Sequence, residues 1–219
     1  MTMPPHLPRI PVPGDPEMPP SERLPALDWG QWMRATLFER RVVLLAGALN
    51  DEAANRASVE LMTLDATGDT AIALHVDSGA GTVAAALAVM DVIDLLGVPV
   101  RAFGMGQVAG PAIGVFAVCG QRSIARHARI RLFEPPVEVE GNAEQVTKMA
   151  AVHTERWEVF CRRVAEACGQ ELEALRADFS SGRFLDAAQA VAYGLADEVA
   201  APNAPVHQMP GRPMGFGPR

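Results

Sequence analysis

The chain has 219 residues, 49% hydrophobic and 21% charged, enough to bury one core plus a small appendage. Its net charge of -7 argues against nucleic acid as a partner, because phosphate binding needs a positive face. Three cysteines without CxxC spacing, and an N-terminal stretch without an apolar h-region, point to reduced thiols in the cytoplasm. No apolar run is long enough to span a bilayer; the nearest, residues 98–119, is broken by Arg101, Gln107 and Pro111.

In chain order, residues 1–27 are dense in proline and read as an extended or disordered arm. Residues 201–219 repeat that composition as a Pro/Gly tail, which leaves 28–200 as the folded body. Within it, residues 41–47 read as a buried strand ending in glycine. A helix follows over 50–64, with Asn50 or Asp51 as its cap. A second strand is expected at 70–76, a helix at 82–96 and a third strand at 98–103. Residues 106–119 open with a small-residue turn and continue as an apolar helix. Short strands fill 123–132, and a long amphipathic helix covers 142–168. Strands separated by helices of this length make βαβ units and a largely parallel sheet.

Two turns stand out, Asp77-Ser-Gly-Ala-Gly-Thr82 and Gly104-Met-Gly-Gln-Val-Ala-Gly-Pro-Ala-Ile-Gly114. Each follows a strand and feeds a helix N-terminus, where free backbone N–H groups can hold an anion or oxyanion. The plain alternative is that their glycines only permit tight packing.

These segments carry a resemblance. Leu37-Phe-Glu-Arg-Arg-Val-Val, Asp51-Glu-Ala-Ala-Asn55, the two turns, Arg129-Ile-Arg-Leu-Phe-Glu-Pro135 and the helix at 142–168 fall in the order of the Clp protease proteolytic subunit (ClpP) family. Arg183-Phe-Leu-Asp-Ala-Ala-Gln-Ala190 and Tyr193-Gly-Leu-Ala-Asp-Glu-Val199 resemble its closing motif. The family lies in the crotonase-like superfamily. The resemblance implies an α/β fold of stacked parallel β-sheets with flanking helices and a projecting handle helix.

The same register implies a degenerate serine-peptidase triad. Gly110 stands at the nucleophile position, Phe133 at the general-base position and Gly182 at the aspartate position. Glycine has no oxygen to attack a carbonyl, and phenylalanine accepts no proton. The oxyanion turn is altered as well: Ala80 precedes Gly81, and Pro111, which has no N–H, follows Gly110. No peptidase activity is therefore expected.

Two alternatives stay open. One is a peptidase using displaced residues, for which Ser78, the Ser123/His127 pair, Cys119 and Lys148 are the candidates. The other is a crotonase-fold enzyme or binder of acyl ligands, with Asp77 and Glu134 as the nearby carboxylates. His6, His75, His127, His153 and His207 show no metal-ligand spacing, and neither metal nor cofactor is expected.

Along the long helix, Val146, Met149, Val152, Trp157, Phe160, Val164 and Ala167 form an apolar stripe. The resemblance implies that Val146, Met149, Trp157 and Phe160 serve oligomerisation, in heptameric rings stacked in pairs. The partners are other copies of the chain or a catalytically active paralogue; no nucleic acid or membrane partner is expected. Ala73 and His75 replace the aromatic residues with which the family lines its ATPase-docking pockets, which weighs against conventional docking of a Clp ATPase.

Overall fold

A computed structural model describes residues 29–137 and 140–201, so the 1–27 arm and nearly all of the tail lie outside the described residues. Helix α1 (Trp29–Glu39) leads into strand β1 (Val42–Ala46), then α2 (Asp51–Ala66), β2 (Ile72–Ser78), α3 (Val83–Leu95) and β3 (Val100–Ala109). A short α4 (Ala112–Ala117), β4 (Gln121–Ile124) and β5 (Arg129–Arg131) precede the long α5 (Ala143–Cys168). The chain closes with α6 (Leu172–Ser181), β6 (Phe184–Leu185), α7 (Ala187–Tyr193) and β7 (Glu198–Val199). The mixed α/β class is the one expected.

Local chemistry sets the helix ends. The side chain of Asn50 accepts a hydrogen bond from the Ala53 amide at 2.9 Å and starts α2. At the other end of α2, the Arg41 guanidinium donates to the Leu64 carbonyl at 2.8 Å and to that of Thr70 at 2.7 Å. The Leu64 carbonyl, which also accepts from the Thr67 amide, thereby gains a cationic donor near the helix C-terminus. Arg41 takes a left-handed conformation (φ +58) to do so, and β1 begins one residue later than expected. Asn142 and Gln145 form a reciprocal capping box at the start of α5, and Gly169 ends it in the left-handed conformation.

The strands run β1-β2-β3-β4-β7 in parallel, and the sheet forks at β3. The first half of β3 pairs with β4 through Arg101 to Gly104, and the second half pairs with β5 through Gln107 to Ala109. One pairing, β5 with β6, is antiparallel. The expected turn from Gly104 to Ala109 is therefore strand. A register shift between Val76 and Ser78 lets β2 follow β3 as far as Val108. The Asp77 carboxylate accepts from the Gln107 amide at 3.0 Å and bridges that irregularity.

One continuous apolar core joins the sheet to α2, α3, α4 and the C-terminal half of α5. Trp157 and Phe160 of α5 belong to it.

Candidate active site and handle helix

Gly110 is the first residue after β3. Its amide donates to the Arg131 carbonyl at 3.0 Å, which locks it beside β5. Its φ of +52 lies in the left-handed region, and a Cβ built on it would stand 2.9 Å from two ring carbons of Phe133. Glycine answers both constraints at once. The Arg131 guanidinium carbon lies 4.8 Å from the centre of the Phe133 ring and 5.1 Å from that of Phe184. Hydrogen, phenyl ring and guanidinium are thus stacked at this junction.

Gly182 is the left-handed C-cap of α6, one residue before Arg183. The Arg183 carbonyl accepts from the Leu132 amide at 2.9 Å, which brings Gly182 close to the segment just after β5 that carries Phe133. The three positions singled out in the sequence therefore converge where β3, β5 and β6 meet.

The turn opposite is built from β2 into α3. The Ala80 carbonyl accepts from the Leu49 amide at 2.9 Å and from the Ser78 hydroxyl at 3.1 Å. Gly81 packs against the Leu49 backbone, whose carbonyl oxygen would lie 2.6 Å from any Cβ at that position. Pro111 precedes α4 and contributes no side-chain cap.

A profile of the Clp protease family matches residues 29–203. The chain belongs to the Clp protease family. It is 31% identical over 170 residues to the ATP-dependent Clp protease proteolytic subunit 2 of Rhodococcus jostii, covering 74% of this chain and 85% of that relative. It is likewise 31% identical over 199 residues to the proteolytic subunit 1 of Frankia casuarinae, covering 88% and 91%. The subunit 1 of Mycobacterium tuberculosis is 30% identical over 174 residues, 74% of this chain and 83% of that protein.

Most of the other candidate nucleophiles and bases of this Clp-family chain are engaged elsewhere. Ser78 is fully buried and its hydroxyl donates within its own turn. The Ser123 hydroxyl donates to Glu198 at 3.0 Å, and His127 is exposed. Burial pushes the Cys119 thiol up to about 12, so its thiolate is not populated at neutral pH. Asp77 holds the β3 irregularity, and Lys148 pairs with Glu144 at 2.7 Å on the surface of α5. Glu134 faces His153 at 4.0 Å. Among the described residues, no group of three or more His, Cys, Asp and Glu side chains is placed to hold a metal ion. No described helix is long and apolar enough to cross a membrane.

The four residues assigned to oligomerisation divide into two pairs. Trp157 and Phe160 stack at 5.3 Å between ring centres and are buried against Phe179 in the chain's own core. Their apolar surface is already covered within the chain. Val146 and Met149 are exposed, as are Val152 and Val159 on the same helix. The periodic stripe could not distinguish these pairs, because spacing does not say what covers a side chain.

Proposed function

We propose that this chain is a Clp-family subunit that no longer cleaves peptides and serves as a structural or regulatory member of a Clp-type ring assembly. The observation that carries the reading is the Phe133 ring, which fills the space any side chain at Gly110 would need. A hydroxyl nucleophile has no room there, and the ring beside it cannot accept a proton. A further support is Pro111, which offers no amide to an oxyanion formed at that junction.

The exposed residues Val146, Met149 and Val152 supply an apolar face for contact with other copies or with an active paralogue, in heptameric rings. Docking of a Clp ATPase in the conventional way is not part of this reading. His75 is nearly buried against Phe103, at 5.4 Å between ring centres, and gives no aromatic surface to a partner.

Two measurements test the proposal. Incubation with fluorogenic peptides and a serine-reactive fluorophosphonate, beside an active relative as control, is expected to give no turnover and no adduct. Labelling of any serine overturns the inactive reading. Native mass spectrometry, with the chain alone and mixed with an active paralogue, is expected to show ring-sized species in at least one sample. A strict monomer in both overturns the assembly reading.

A further inference from the structure

The outward face of β5 and β6 carries positive charge that no described residue neutralises. Ile130 is fully buried and pairs with the buried Leu185, so Arg129 and Arg131 on either side of Ile130 share the opposite face. Arg129 is exposed. Arg131 is half-buried and pairs with Phe184, a ring 59% exposed whose centre lies 5.1 Å from the guanidinium carbon. Neither guanidinium makes a hydrogen bond or ion pair among the described residues, and the buried Nε of Arg131 has no acceptor. Two carboxylates on the adjoining segments are committed to backbone amides, Asp77 to that of Gln107 and Asp186 to that of Gln189.

Like charges two residues apart on one strand stand about 7 Å from each other and repel. In a chain of net charge -7, this pair calls for an acidic counterpart of the same spacing. The 1–27 arm contains one, Asp15-Pro16-Glu17. The proline disfavours a helical Asp15, which sets the two acids about 6–7 Å apart. The 201–219 tail has no acid, only Arg212, Arg219 and His207, and is excluded by charge. Reach is sufficient. Residues 18–28 separate Glu17 from α1 and span about 36 Å at 3.3 Å per residue. Strand β5 stands three strand spacings from β1, about 14 Å, and α1 is about 16 Å long. The linker exceeds the two together.

We propose that the arm folds back as a strap over the β5–β6 face of its own chain, with Asp15 and Glu17 on Arg129 and Arg131 and the flanking prolines against Phe184. The strap covers the face next to the Gly110, Phe133 and Gly182 junction, and salt releases it by screening the paired charges. The inference depends neither on the loss of peptidase activity nor on ring assembly.

Two measurements on the full chain test it. In the first, Phe184 is replaced by the photo-crosslinker p-benzoylphenylalanine, and unlabelled and heavy-isotope chains are mixed equally before irradiation. The expected product joins position 184 to residues 13–19 of the same chain. Its yield should fall at least about ten-fold in an Asp15→Asn/Glu17→Gln chain, the factor that one charge-assisted hydrogen bond makes, and should fall likewise in 0.5 M salt. The second measurement leaves the folded body unaltered. Phenylglyoxal should modify Arg129 and Arg131 at least about five-fold faster in the Asp15→Asn/Glu17→Gln chain than in wild type, with the exposed Arg126 as an unchanged reference. Equal rates of modification overturn the proposal. So does a cross-link to no part of the arm, to the arm or body of a second copy only, or to the arm with a yield indifferent to charge and salt. Native mass spectra of the same samples read the assembly separately.

Discussion

The two halves of α5 share one helix and one apolar periodicity, yet they live in different surroundings. From Trp157 to Cys168 the helix is rooted: Phe160, Cys161 and Val164 are fully buried and Trp157 nearly so. From Ala143 to Arg156 it stands out from the core, with Met149 half exposed at 51% and Val152 at 46%. A helix of 26 residues is about 39 Å long at 1.5 Å per residue, and its buried residues all fall from Trp157 onward. The rooted half therefore stabilises the chain, and the projecting half presents apolar surface that the fold does not use. The junction of Gly110 and Phe133 is likewise a place where space is filled, since a Cβ at Gly110 would stand 2.9 Å from the ring.

The largest test of this division is Phe160→Ala. The side chain is fully buried between Trp157, Phe179 and Gly114, and its loss should destabilise the fold by about 3–5 kcal/mol. The denaturant midpoint measures this, and a loss below about 1 kcal/mol would mean that the helix is not rooted there.

A smaller effect is expected from Gly110→Ser, which also asks whether the site is filled or merely empty. A new Cβ meets the Phe133 ring at 2.9 Å from a left-handed backbone, a cost of about 1–3 kcal/mol. The penalty should shrink in a Phe133→Ala background, because part of it is the clash with the ring. Equal penalties in both backgrounds would acquit the ring. On the proposed reading no peptidase activity should appear in either variant, since neither phenylalanine nor alanine at position 133 is a base and Gly182 has no carboxylate to orient one.

Much of this was legible in the sequence, and the misses have physical causes. The start and end of α3 and α5 fell within one residue of expectation because Thr82, Asn142 and Gly169 are strong cap signals. The second half of β3 was read as a turn because Gly104 and Gly106 usually mark one. Here Gly106 instead lets the strand irregularity approach the Asp77 carboxylate, a long-range contact that no local pattern encodes. The identities of Gly110 and Phe133 were readable, but not that the ring of one occupies the side-chain space of the other. The helix α6 was not singled out, since its ten residues alternate apolar and charged groups without a side-chain cap.

Weaker still is the contribution of Arg122, which ties down the root. Its guanidinium donates to Asp197, to the Ala167 carbonyl at the end of α5 and to the Gly194 carbonyl. The Arg122 hydrogen bond and charge hold the Asp197 carboxyl below the usual aspartate range. A carboxylate depressed on folding stabilises the chain above its unfolded pKa, and that stabilisation is lost as pH falls through the folded value. Thermal unfolding of Asp197→Asn should therefore differ from wild type at neutral pH, and the gap should close as pH drops below about 4. A gap constant from pH 7 to pH 2 would show that the pair matters for shape alone. Because Asp197 is 42% exposed, solvent screening keeps the difference small.

The smallest effect on the single chain belongs to the projecting half. Replacing Val146, Met149 and Val152 by serine removes apolar groups that already face solvent, so the unfolding free energy of the isolated chain should change by no more than about 0.5 kcal/mol per position. The same replacement should abolish any ring-sized species, because the apolar area that would drive association lies on this face. Size-exclusion chromatography with light scattering reads the second effect and denaturant titration the first. Loss of assembly without loss of stability is the outcome that separates the halves. Loss of both would mean that the projecting half is folded only by its partner, and the division of α5 into root and projection would then describe the assembled state rather than the chain.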